Sequence, residues 1–156
     1  MTRKNFLFAF FSVIIFFCII FITPSLTLAK IQKFDKFSVD VPSDWTVEQN
    51  DAELMLKSQS TDASVSISLN KTDGEELSDI AERLYLKFNG DDFEQDNDGD
   101  YSFNFTNVSG DDSVALITGN ENYYLVFSIT GFDDENAEND LQKILSTLDW
   151  DDIKNN

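Results

Sequence analysis

The chain has 156 residues, no histidine, one cysteine and a formal net charge of −18, with 29 acidic residues against 11 basic ones. Without histidine, Ser-His-Asp and Cys-His catalysis in their usual forms are excluded, as are histidine-ligated zinc, copper and haem sites. A surface this acidic repels nucleic acid and anionic lipid, which sets aside DNA, RNA and acidic membranes as partners.

The chain opens MTRKNFLFAFFSVIIFFCIIFITPSLTLAK, with Arg3 and Lys4 before an uncharged apolar run from Phe6 to Ile22, then Pro24 and the small-residue approach Thr27, Leu28, Ala29. Basic, apolar and small-residue regions in that order read as a signal peptide over residues 1–29, cut after Ala29. The run is 17 residues long, near the lower limit of a membrane span, so an uncleaved anchor is the alternative. Either outcome puts the rest of the chain outside the cytoplasm, periplasmic or extracellular, touching a membrane only through this segment if it is retained. Cys18 follows Ile15, Phe16 and Phe17 and lacks the small neighbour of a lipoprotein cysteine, so it reads as a hydrophobe of the signal. No cysteine remains after removal of the signal. The compartment permits disulfides, but this domain must hold together by its core.

Residues 30–156 carry nine basic and 29 acidic side chains, a net charge of −20 over 127 residues. That length suits a single domain burying roughly two thirds of its unfolded surface. In KFSVDVP, Phe37, Val39 and Val41 alternate with Ser38 and Asp40, the period of a half-buried strand, and Pro42 stops it. PSDW then turns the chain into Trp45 and Val47. ELMLKS reads as a short strand around Leu54 to Leu56. ASVSISLN follows with Val65, Ile67 and Leu69 inward, while Ser64, Ser66 and Ser68 form a solvated or loosely covered face. No base accompanies those serines in sequence, which argues against a nucleophile.

DGEELSDIAERLYLKFNG is the clearest helix, with Leu77, Ile80, Ala81, Leu84 and Phe88 on one face. Asp73 is placed to cap its start, with Glu76 three residues on, and Asn89-Gly90 ends it. YSFNFTN alternates Tyr101, Phe103 and Phe105 against Ser102 and Asn104. DSVALITGNENYYLVFSITG reads as two strands joined at Gly119 to Asn122. Tyr123 and Tyr124 fall on opposite faces, so one is expected outward, as a partner surface or as cover for a helix-facing layer. DDENAENDLQKILSTLDW sets Ala137, Leu141, Ile144, Leu145 and Leu148 along a second helix, with Trp150 as a lid on the core.

Four strands, a helix, three strands and a helix, with no linker or repeat, predict one α+β domain over residues 30–156. It has a single antiparallel sheet of about seven strands and two main amphipathic helices. The entry FSVDVPSDW, the strand pairs, the aromatic hairpin, NYYLVFSITG and the closing STLDW resemble the PsbP-like and DcrB-like group of exported domains. That resemblance implies an α/β/α sandwich with an antiparallel sheet flanked by helices. Its members include extrinsic subunits of the photosynthetic oxygen-evolving complex and Ran-binding import factors. They imply a non-catalytic module that docks on a larger envelope or extracellular protein, with no cofactor and no residue of this chain assigned to a site. Fold alone does not carry function.

No G-x-G-x-x-G, Walker loop or H-E-x-x-H occurs, so enzymology here would be carboxylate chemistry, such as a small carboxylate-dependent hydrolase. The segment EQDNDGDYSF is the most suggestive for a cation. With Gly99 at the sixth position of an EF-hand-type loop, Glu94, Asp96, Asp98, Asp100 and Ser102 fall at positions one, three, five, seven and nine. This permits a calcium-modulated binding protein. Against it, Glu stands where Asp is expected, Phe105 stands where a bidentate Glu should close the site, and YSFNF has strand period. The other reading is a hairpin turn at Asp98-Gly99. Asp91-Asp92, Asp111-Asp112, Asp133-Asp134-Glu135 and Asp151-Asp152 read as solvated turns and helix caps. The N-x-S/T matches at Asn70, Asn104 and Asn107 are chance matches in an Asn- and Ser-rich chain.

Overall fold

Alternating apolar and polar residues extend this chain into strands, and Asn, Asp, Ser and Gly at their ends turn it back. The computed structural model describes residues 30–34, 37–50, 53–132 and 135–149. Along them run β1 (Lys30–Phe34), β2 (Phe37–Val41), β3 (Trp45–Gln49), β4 (Glu53–Ser58), β5 (Ser64–Lys71) and α1 (Leu77–Phe88). Then come β6 (Asp91–Gln95), β7 (Tyr101–Thr106), β8 (Asp112–Gly119), β9 (Tyr123–Thr130) and α2 (Glu135–Ser146). The leader over 1–29 with Cys18, the Asp133-Asp134 and Asp151-Asp152 pairs and Trp150 lie outside the described residues. Among the described residues, no helix is long and apolar enough to cross a membrane.

Seven strands form one antiparallel sheet in the order β3-β4-β5-β9-β8-β7-β6. The class is as expected, but the membership differs. FSVDV leaves the sheet and pairs with β1, from Lys30 opposite Val41 to Phe34 opposite Phe37. Its other edge is closed by Asp149, whose N–H and carbonyl each exchange a 2.9 Å bond with Ser38. The seventh place goes to β6, whose DDFEQ sequence lacks alternation because its pairing with β7 shifts between Asp91 and Glu94.

The register gives the sheet two faces. On one, Leu56, Val65, Ile67, Phe127 and Ile129 are buried with Phe37, Val39 and Val41 of β2 and Ala137 and Ile144 of α2. On the other, Phe103, Phe105, Ala115, Ile117 and Tyr124 are buried with Ile80, Ala81 and Leu84 of α1. Tyr124 and Leu125 are adjacent in β9 and belong to different clusters, so the two cores lie on opposite sides of the sheet. Each such Leu, Ile or Phe contributes about 1.5–3 kcal/mol relative to exposure. The covers are offset. The β1-β2 ribbon and α2 lie over the β4-β5-β9 part of one face, and α1 lies over β7 and β8 on the other. Each end of the sheet therefore keeps one open face.

The Pro42-to-Trp45 turn closes with a 3.1 Å bond from the Trp45 N–H to the Pro42 carbonyl. It buries the indole, whose Nε1–H donates to Asp140 Oδ2 at 2.9 Å and ties β3 to α2. Asp73 does not cap α1. Thr72 is buried and its hydroxyl donates to the Glu121 carbonyl at 2.7 Å. That anchor leaves Asp73 in a turn at φ 52, and Glu76 takes the N-cap position without a side-chain bond. Glu75 instead receives two bonds from Arg83, at 2.8 and 3.2 Å. Those hydrogen bonds, and secondarily the charge behind them, hold its carboxyl below the usual range. At the other end Asn89 adopts φ 52, and Gly90 is required because a Cβ there would meet the Phe103 and Tyr85 rings at 2.7 Å.

Candidate docking surface

The segment proposed for calcium is placed first by its strands. Glu94 lies in β6 opposite Ser102 in β7, and Gln95 lies opposite Tyr101. Between them, Asp96 Oδ1 accepts the backbone N–H groups of Asp98 and Asp100 at 2.9 and 3.0 Å. The Asp96 N–H donates to the Asp100 carbonyl at 3.0 Å, and Gly99 has φ 91. The β7–β8 turn repeats this arrangement. There Asn107 Oδ1 accepts the N–H groups of Ser109 and Asp111 at 2.9 and 3.0 Å, and Gly110 has φ 93. The β8–β9 turn uses Asn120 in the same way, with the amides of Asn122 and Tyr123. A neutral amide does at two neighbouring turns what the Asp96 carboxylate does here, so turn formation accounts for Asp96.

The tip brings Asp96, Asp98 and Asp100 together, while Glu94 and Ser102 sit in the ladder. Burial is the main cause that raises the Asp100 carboxyl above its ordinary range. The nearby Asp96 and Asp98 charges add to this, and a hydrogen bond with Thr118 opposes it. Among the described residues, no group of three or more Asp, Glu, Cys or His side chains is placed to hold a metal ion. Nor is any described Asp or Glu fully buried, Asp100 being half-buried; the buried polar side chains among the described residues are Thr72 and Ser113. Ser113 shares a 2.8 Å hydroxyl contact with Thr130, and its hydroxyl donates to the Asp111 carbonyl at 3.3 Å.

A different acidic region forms at the far end of β7. A trough of about 1350 Å³ opens there between the C-terminal end of α1, at Phe88 and Asn89, and Leu141 of α2, and takes in the part of the sheet that α2 leaves uncovered. Val114 and Leu116 of β8 form its apolar floor, with Phe132 and Leu141 at the side. Asp62 reaches it from the β4–β5 turn, Asp91 and Asp92 from the start of β6, and Asp111 and Asp112 from the start of β8. Among the described residues, no lysine or arginine lines it. The ion pairs among the described residues, Glu48 with Lys57 and Glu75 with Arg83, lie elsewhere. Asn104 Nδ2 donates to Asp92 Oδ2 at 3.2 Å, and Asn107 Nδ2 donates to Asp111 Oδ2 at 3.4 Å. Gly131, at φ 77, packs so tightly that a Cβ would meet the Asp62 carbonyl oxygen at 2.6 Å, and this contact holds the β4–β5 turn at the trough.

The sequence reading places Asp91-Asp92 and Asp111-Asp112 correctly at element ends, but not together. A local signal does exist in DSVALITG, which is apolar at both parities. Val114 and Leu116 pair with Asn104 and Ser102 on one side and with core Ile129 and Phe127 on the other, so they form an apolar strip bordered by polar residues on the β7 side. Of the tyrosine pair, Tyr124 is buried under α1 and Tyr123 is half-buried on the other face. The serines at 64, 66 and 68 are half-exposed, as expected for an uncovered face, and Ser66 donates to Glu53.

Neither a protein-family model nor a curated protein matches the chain. Solved structures do. PsbP (CyanoP) of the cyanobacterium Synechocystis sp. PCC 6803 is 12% identical, with 82% of this chain and 95% of that one covered at a TM-score of 0.53. A Bacteroides thetaiotaomicron protein is 19% identical at a TM-score of 0.52, with 79% of this chain covered; the chain spans 48% of that protein. The fold is PsbP-like.

Proposed function

We propose that this chain is an exported, non-enzymatic binding module of the cell envelope that docks on a larger protein through the trough beside α2. The observation that carries the reading is the trough itself. Five carboxylates from three separate segments ring an apolar strip at Val114 and Leu116, and among the described residues no basic side chain lines it. Export rests on the order of basic, apolar and small residues over 1–29. The PsbP-like fold suits a scaffold or binding role. A carboxylate hydrolase would need an acid with a raised pKa inside the cleft. Asp100, a carboxyl that burial raises, sits at a hairpin tip outside the trough's lining.

The test is co-purification from the envelope with the tagged full chain and two variants that place an arginine on either open face, Val114→Arg in the trough and Met55→Arg on the opposite side. A partner retained by Met55→Arg and lost by Val114→Arg is the expected result. Equal recovery with both would move the docking surface off the trough. Recovery of no partner with the native chain would remove the docking role.

A further inference from the structure

The trough, taken as a docking surface, also specifies the chemistry of its occupant, and this step rests on the docking role above. The charged side chains of its rim are Asp62, Asp91, Asp92, Asp111 and Asp112; none of them forms an ion pair among the described residues, and the ammonium of Lys87 lies over the ring of Phe88 at one side, 6.0 Å from its centroid. Like charges gathered in a concave, partly apolar wall focus a field that attracts a cation and repels phosphate, nucleic acid and anionic lipid. The floor asks for something more than charge, because Val114 is 36% exposed and Leu116 is only partly covered by the core beneath α2. A hydrated metal ion or a polyamine would leave that strip in water. The adjoining sheet edge is β6, short, acidic and bulged between Asp91 and Glu94, which disfavours the addition of a strand through main-chain bonds. Recognition therefore falls to side chains.

We infer that the trough takes a basic, extended protein segment. Its Lys or Arg side chains lie among the five rim aspartates, and its apolar side chains lie on Val114 and Leu116. Charge sets the rate and selectivity of encounter, and the apolar strip fixes where along the segment the contact forms.

The test is fluorescence anisotropy with the full chain and a short labelled peptide of alternating Lys and Val, at about 150 mM NaCl, where charges more than about 8 Å apart are screened. Asp91 and Asp112 have exposed side chains and suit conservative removal of two charges. Asp91→Asn with Asp112→Asn should weaken binding by about tenfold or more. Glu82→Gln with Glu121→Gln removes the same charge at exposed positions outside the trough and should change binding by less than about twofold. Equal weakening in both double variants would reduce the effect to overall charge and overturn the proposal. So would preferential displacement of the peptide by Mg²⁺ at matched ionic strength, which would mark a small-cation site. Absence of peptide binding, with co-purification still lost in Val114→Arg, would remove the basic occupant and leave the docking role standing. Loss of both would remove both.

Discussion

The hairpin tip at Asp96–Asp100 and the trough at the other end of β7 are both rich in aspartate, and they use it differently. At the tip, acids close in sequence face one another, and the leading carboxylate already holds two backbone amides of its own turn. At the trough, acids from residues 62, 91–92 and 111–112 meet only because the topology brings their segments to one end of the sheet. The first arrangement makes a turn. The second makes a surface with unanswered charge, and the difference shows that regular spacing of acids along a chain is weaker guidance to a site than their convergence across it.

The glycines separate the two regions most sharply. Gly131→Ala must both hold a positive φ and push against the Asp62 carbonyl, so chemical denaturation should show a loss of about 3 kcal/mol and disturb the trough wall. Gly99→Ala keeps the same kind of φ but meets open space, and should cost about 1–2 kcal/mol. Equal losses would mean that the Asp62–Gly131 contact does not hold the trough. Next in size, Asp96→Ala forfeits two exposed turn bonds and should cost about 1–2 kcal/mol. Asp96→Asn should stay within about 0.5 kcal/mol of native, because Asn107 already fills that role one hairpin away.

A smaller effect is expected at Asp100. Its carboxyl is raised chiefly by burial, so the folded chain holds that proton more tightly than the unfolded chain. The associated stability is present below the unfolded value of about 3.9 and is lost as pH rises through the raised folded value. Asp100→Asn should therefore melt slightly higher than native at neutral pH, with the gap closing below about pH 4. A gap that widens in acid would reverse the assignment. The smallest effect is expected from calcium. A specific site at about a hundred times its dissociation constant would add about 2.7 kcal/mol, several degrees of Tm for a domain of this size. Millimolar Ca²⁺ should instead raise Tm no more than Mg²⁺ does, and a clearly larger response to Ca²⁺ would return the tip to the role of a cation site.

Much of the fold is legible locally. The period-two pattern marks β2, β5 and β7, the apolar runs on either side of the Gly119–Asn122 turn mark β8 and β9, and the helical stripes mark α1 and α2. Where one rule was not enough, the sequence misled. A bulge breaks alternation in β6, and its Phe93 shows its role only through rings on other elements, Tyr85 at 5.1 Å and Tyr101 at 5.6 Å. β2 has the same pattern as a sheet strand, and nothing in its own residues shows that its partners are β1 and Asp149. Asp73 has the composition of a helix cap, but buried Thr72 fixes the turn that removes it from that position. The trough is the extreme case, since its acids and its floor belong to strands and turns far apart in the chain. The tip, by contrast, was legible as a turn from Asp98-Gly99 and the strand that follows.

The central claim is that partners meet the face carrying Val114 and Leu116. Site-specific photo-crosslinking in intact envelopes tests it directly, with the photoreactive side chain at position 114 in one strain and at position 55, on the opposite open face, in another. The account predicts a discrete adduct from position 114 that is suppressed when Asp91 and Asp112 are both replaced by asparagine, and none from position 55. Adducts from position 55 alone, or from position 114 unchanged by the double replacement, would contradict it.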